Sequence, residues 1–99
     1  MKYFFCKLIP LRPDFVQTMT AEEGKLMQEH AAYWKGMMDQ GRAAAFGLVA
    51  DPKGAYGVGI LTLDDDENVH ALTSGDPTIK ANLGFVYEIY AMPRAVVRA

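Results

Sequence analysis

The sequence predicts one α+β domain with the ferredoxin-like order βαββαβ, an antiparallel four-stranded sheet carrying two helices on one face. Three observations predict it. Apolar runs with strand chemistry lie at 3–9, 43–50, 56–63 and 83–92. A long helical stripe follows the first run and a shorter helical segment follows the third. The strands are apolar on both sides, although two helices can cover only one side.

The first run, Tyr3 to Ile9, ends at Pro10, Pro13 and Asp14, which break it. Thr20 with Glu23 three residues on is a capping box that starts the long helix. Leu26, Met27, His30, Ala31, Trp34, Met37 and Met38 then recur at helical spacing, and Gly41 supplies the stop. Asp51-Pro52-Lys53-Gly54 is turn chemistry, so the second and third runs form a hairpin. Gly57 and Gly59 on one side of the third run mark a bulge or a close approach by another group. Asp64, Asp65 and Asp66 suit the start of a short helix that Gly75 ends, with Val69 and Leu72 inward. Asp76-Pro77 can open one more turn, Asp as N-cap and Pro at the first helical position.

In the last run Leu83, Phe85, Tyr87 and Ile89 alternate with Val86, Tyr90 and Met92. The sheet face without helices must therefore meet something apolar. A second copy of the same sheet is the simplest partner, giving a homodimer in which two sheets close an α+β barrel. The 99 residues contain no linker or repeat, and 1–99 reads as a single domain.

With a net charge of −2 and no Lys/Arg run, nucleic-acid binding is disfavoured, and the paired surface aromatics with basic charge that RNA-binding modules of this fold need are absent from the sequence. No apolar run approaches the length of a membrane span, and the N-terminus lacks a signal-peptide cleavage region. One cysteine, Cys6, cannot form an intrachain disulfide, so a cytoplasmic location is expected.

Tyr3-Phe4-Phe5, Glu29-His30-Ala31-Ala32-Tyr33-Trp34, Gly41…Phe46-Gly47, Asp76-Pro77 and Val86-Tyr87-Glu88-Ile89 before Pro93 span nearly the whole chain in order. On these pieces the chain resembles the YciI-like proteins of the dimeric α+β barrel superfamily. The resemblance implies a ferredoxin-like subunit, a homodimer, and a site built on a histidine and an aspartate, here His30 and Asp76. Many relatives carry Gly-Pro in the second strand, where this chain has Gly47-Leu48. A few relatives act on aromatic ring compounds such as hydroxyhydroquinones.

On residue type alone, a histidine on an apolar stripe is more often a satisfied core residue, and Asp76 is a helix cap. With the resemblance, His30 is expected to act as a general acid/base and Asp76 to orient it. The other candidates carry blander readings. His70 lies off the inward line and reads as solvated. Cys6 reads as a small buried hydrophobe, and Ser74 lacks a nucleophile-elbow setting. Gly54, Gly57 and Gly59 lack the strand-to-helix context of a phosphate loop. Asp64 to Glu67 reads as a solvated helix start before a cation site. No metal-ligand spacing and no cofactor motif is found. The Met27, Met37, Met38 and Trp34 group fills the core or lines an apolar pocket. Tyr87 and Tyr90 fall on opposite faces of the last strand, where one of them could reach a ligand in the sheet cavity.

The expected function is cofactor-independent acid/base chemistry of lyase, isomerase or dehalogenase type on a small organic molecule, aromatic or oxygenated. The alternatives are a non-catalytic metabolite-binding protein and a dimerisation module. His30 and Asp76 within hydrogen-bond reach beside an open pocket would favour the enzyme.

Overall fold

The computed structural model describes residues 1–98. The elements run β1 (Lys2–Ile9), α1 (Phe15–Thr18), α2 (Ala21–Asp39), β2 (Ala43–Val49), β3 (Tyr56–Leu63), α3 (Val69–Ser74), α4 (Pro77–Lys80) and β4 (Val86–Ala91). The four strands form one sheet in the order β2-β3-β1-β4, with every pairing antiparallel. This is the ferredoxin-like α+β arrangement.

Registers decide which side chains share a face. Cys6 lies opposite Gly59 and Ile89, and Leu8 opposite Gly57 and Tyr87. These residues, with Leu61 and Leu63, face the helices. Cys6, Leu61 and Leu63 pack with Trp34, Met37, Ala43 and Val69 in one buried cluster. Leu8, Phe15 and Phe85 form a second, with Met19, Leu26, Met27 and Ile79 against it. Tyr87 packs against both clusters.

The opposite face carries Tyr3, Phe5, Ile9, Val58 and Ile60, with Val86 and Tyr90 more than half exposed. Phe5 and Tyr90 meet in a tilted pair with ring centroids 6.1 Å apart. At its middle Lys7 lies opposite Glu88, and the Lys7 ammonium sits 4.4 Å from the Tyr56 ring centroid. No helix among the described residues covers this face.

The Thr20–Glu23 capping box forms as the sequence predicts: Glu23 N–H donates to Thr20 Oγ1 and Thr20 N–H to Glu23 Oε1. Elsewhere the chain departs from the sequence reading. The aspartate run does not cap α3; Asn68 does, its Oδ1 accepting from His70 N–H. Asp65 instead meets the N-terminal ammonium, and Glu67 pairs with Arg42. The last strand starts at Val86 rather than Leu83, because Asn82 and Gly84 take left-handed φ values of 56° and 123°, which a strand cannot hold. Helix α1, one turn long, is too short to carry a hydrophobic period and was hidden behind Pro10 and Pro13. Arg12 fixes it to α2: Nη1 and Nη2 donate to the Glu23 carboxylate at 3.0 and 2.7 Å, while Nε donates to Thr18 Oγ1. The bulge falls in β2 between Ala43 and Ala45, and Gly57 and Gly59 instead mark close approaches, by Leu8 and by Trp34.

Among the described residues no helix is long and apolar enough to cross a membrane.

Candidate functional site

Three elements meet at the Asp76 carboxylate. Asp76 is the N-cap of α4, where Pro77 presets the first helical φ. Its Oδ1 accepts from Thr78 N–H at 2.9 Å and Thr78 Oγ1–H at 2.8 Å, so one oxygen performs the cap. The other, Oδ2, faces the sheet. It lies 2.7 Å from His30 Nδ1 on α2, accepts from Tyr87 O–H on β4 at 2.5 Å, and has Trp34 Nε1–H at 3.2 Å. Trp34 Nε1–H also donates to the Tyr87 oxygen at 2.9 Å.

Asp76 is 0% exposed, a burial that a carboxylate tolerates only when its charge is fully partnered. Burial pushes its pKa up, but the hydrogen bonds from His30 and Tyr87, the His30 charge and the Thr78 N–H outweigh it, leaving the carboxyl below its ordinary range. Asp76 is thus held as the anion, an acceptor only. His30 Nδ1 must carry its hydrogen toward it, which leaves Nε2 as the unprotonated nitrogen of the neutral ring.

Among the described residues Nε2 has no partner, and no buried side-chain nitrogen or oxygen lacks one. Nε2 therefore reaches open space. That space is a cleft of about 330 Å³ between α1, α2 and the β2–β3 hairpin, lined by Met19, Met27, His30, Ala31, Phe46 and Leu48 among others. The front half of the α2 stripe is only partly buried because it overhangs this cleft, whereas Trp34 and Met37 are sealed. Phe15 and Met19 form its near wall, held by the Arg12–Glu23 ion pair. His30 is the one polar side chain among the lining residues, which include no Lys, Arg, Asp or Glu.

The structure brings together both residues the sequence singled out. It adds three that the sequence left in other roles. By spacing Trp34 reads as core filling or pocket lining, yet its indole N–H is a donor to the site. By strand alternation Tyr87 reads as a candidate ligand contact, yet its hydroxyl points to Asp76. Thr78 carried no signal beyond following Asp-Pro. Gly59 was the one legible hint: a Cβ there would overlap the Trp34 ring, so the bare position exists for the indole. The remaining candidates stay outside. His70 is exposed on α3, and Tyr90 turns to Glu88 on the open sheet face. Cys6 is buried and its thiol is pushed up to about 12, far from a nucleophile.

Residues 3–93 match the model of the YCII-related domain. No curated protein matches the chain. Among solved structures, a formyltetrahydrofolate deformylase from Pseudomonas putida KT2440 is similar with a TM-score of 0.44 and 12% identity. The match covers 93% of this chain and 29% of that one, so the chain spans under a third of that protein's length.

Proposed function

The chain belongs to the YCII-related domain family, and we propose that it is a cofactor-independent acid/base enzyme acting on a small, uncharged organic molecule. The observation that carries this reading is the 2.7 Å contact between His30 Nδ1 and a fully buried Asp76 carboxylate, at the wall of an apolar cleft. A bound molecule places an acidic C–H or O–H against Nε2. The imidazole takes that proton, Asp76 stabilises the imidazolium, and the proton returns to the product or leaving group. Elimination, isomerisation and loss of halide all fit this one-base cycle.

The cleft lining bears on the substrate. With no cation beside His30, a phosphate or carboxylate would be desolvated without a partner, so the ligand is expected to be neutral and largely apolar. An aromatic or oxygenated ring fits that description.

The second sheet face supports a homodimer. Phe5, Ile9, Val58, Ile60, Val86 and Tyr90 make an apolar patch that no helix among the described residues covers, with Lys7 and Glu88 side by side at its middle. A two-fold axis passing between Lys7 and Glu88 would set the Lys7 of one copy toward the Glu88 of the other and make the face self-complementary.

The reading is tested by screening neutral small molecules for turnover by the wild type, His30→Ala and Asp76→Asn. A compound consumed by the wild type alone supports it. A compound consumed equally by all three overturns it. Ligands that bind beside His30 and are never consumed favour a metabolite-binding protein.

A further inference from the structure

We propose that Tyr87 is a positioning residue for the His30–Asp76 pair: its hydroxyl shares Asp76 Oδ2 with the His30 ring and so limits how strongly the carboxylate holds an imidazolium. The inference deepens the acid/base reading and rests on it.

The geometry forces the sharing. Oδ1 is already engaged by Thr78 N–H and Oγ1–H, so neither His30 nor Tyr87 has a second carboxylate oxygen to turn to. Both converge on Oδ2, at 2.7 and 2.5 Å. Trp34 Nε1–H donates to the Tyr87 oxygen at 2.9 Å and takes up its lone-pair side. The phenolic hydrogen is therefore aimed at Asp76. Tyr87 sits on β4 directly opposite Leu8, wedged between the two core clusters, and cannot swing away.

The titratable groups facing Asp76 are His30 from α2, Tyr87 from β4 and, farther off, Tyr33 from α2, whose hydroxyl donates to Leu72 O. Burial, then the Asp76 charge, holds the Tyr87 phenol well above its ordinary range, so it stays a donor throughout. A carboxylate given wholly to His30 would hold the imidazolium tightly and slow return of its proton. A permanent second donor on the same oxygen weakens that hold.

The test is an NMR titration of the His30 ring in the wild type, Tyr87→Phe and Asp76→Asn, each with its unfolding midpoint. Tyr87→Phe keeps the ring and removes only the hydroxyl. Its His30 titration is expected to move to higher pH by about half a unit or more, a fraction of the roughly one to two units that a direct hydrogen bond to a charged group is worth, because the effect passes through Asp76. Asp76→Asn, which removes the charge, moves it to lower pH. A second arm replaces tyrosine by fluorotyrosine, a stronger donor, and moves the His30 titration down without deleting any hydroxyl. If Tyr87→Phe changes only the unfolding midpoint, or the fluorotyrosine arm shows no shift, the Tyr87 role is overturned while the pair stands. If Asp76→Asn leaves the His30 titration in place, the pair itself is overturned.

Discussion

The Trp34 ring occupies the space that a side chain on Gly59 would fill, and that placement is what lets the indole N–H reach both Tyr87 and Asp76. A position in the middle of β3 is thus tied to a carboxylate at the start of α4. The tie is steric at one end and a hydrogen bond at the other.

Gly59→Ala is expected to destabilise the fold. The new methyl overlaps a rigid, fully buried ring, and overpacking of this kind costs about 1–3 kcal/mol. Urea denaturation checks it: the midpoint should fall with the slope unchanged. Gly47→Ala, where a Cβ meets nothing within 4 Å, is the matched control and should change little.

Acid should weaken the protein through two carboxylates. Glu23 is held at about 2, first by its hydrogen bond from Arg12 and then by the Thr20 N–H. For Asp76, burial works upward and the bonds from His30 and Tyr87 bring the pKa below the usual carboxylate range. Both groups bind protons more weakly folded than unfolded. Their contribution is therefore complete above the unfolded value, about pH 4–4.5, and is lost as pH falls through the folded values. Urea midpoints measured from about pH 5 down to pH 2 should fall steadily in the wild type and less steeply in Glu23→Gln. Equal slopes would remove Glu23 from the account.

The open sheet face yields a prediction about assembly. Ile60 lies on the central strand β3, opposite Phe5 and Ala45, on the side without helices. Ile60→Asp places a charge at the middle of the proposed interface. Light scattering should show the mass of a dimer for the wild type and of a monomer for the variant. A wild-type monomer would contradict the dimer.

Filling the cleft should separate binding from folding. Ala31 lines it from an exposed position on α2, so Ala31→Trp projects into the cleft without disturbing either buried cluster. Affinity for any neutral ligand found by screening should drop about tenfold or more, while the unfolding midpoint stays put. Undiminished binding would move the ligand site elsewhere.

Much of this architecture was legible in the residues because it repeats. Strand alternation, the α2 stripe and the Thr20–Glu23 box are local patterns, and they fix the element order and the uncovered face. The long-range joins were not legible. That Trp34, Tyr87 and Asp76 share hydrogen bonds depends on three elements brought together across more than fifty residues of sequence from Trp34 to Tyr87. A tryptophan on an apolar stripe reads the same whether or not its N–H has a partner. His30 and Asp76 were marked by resemblance, and spacing alone would have left one in the core and the other as a cap. The single-turn helix α1 and the positive φ at Asn82 and Gly84 leave no trace in the pattern for a simpler reason: neither has a period.

The central point is that the neutral form of the His30 ring carries its hydrogen on Nδ1, held by Asp76, and leaves Nε2 as the free base toward the cleft. The ¹⁵N chemical shifts of the His30 ring, recorded on the alkaline side of its titration, test this most directly. The account predicts a protonated Nδ1 and an unprotonated Nε2. A hydrogen found on Nε2, with Nδ1 bare, would contradict it.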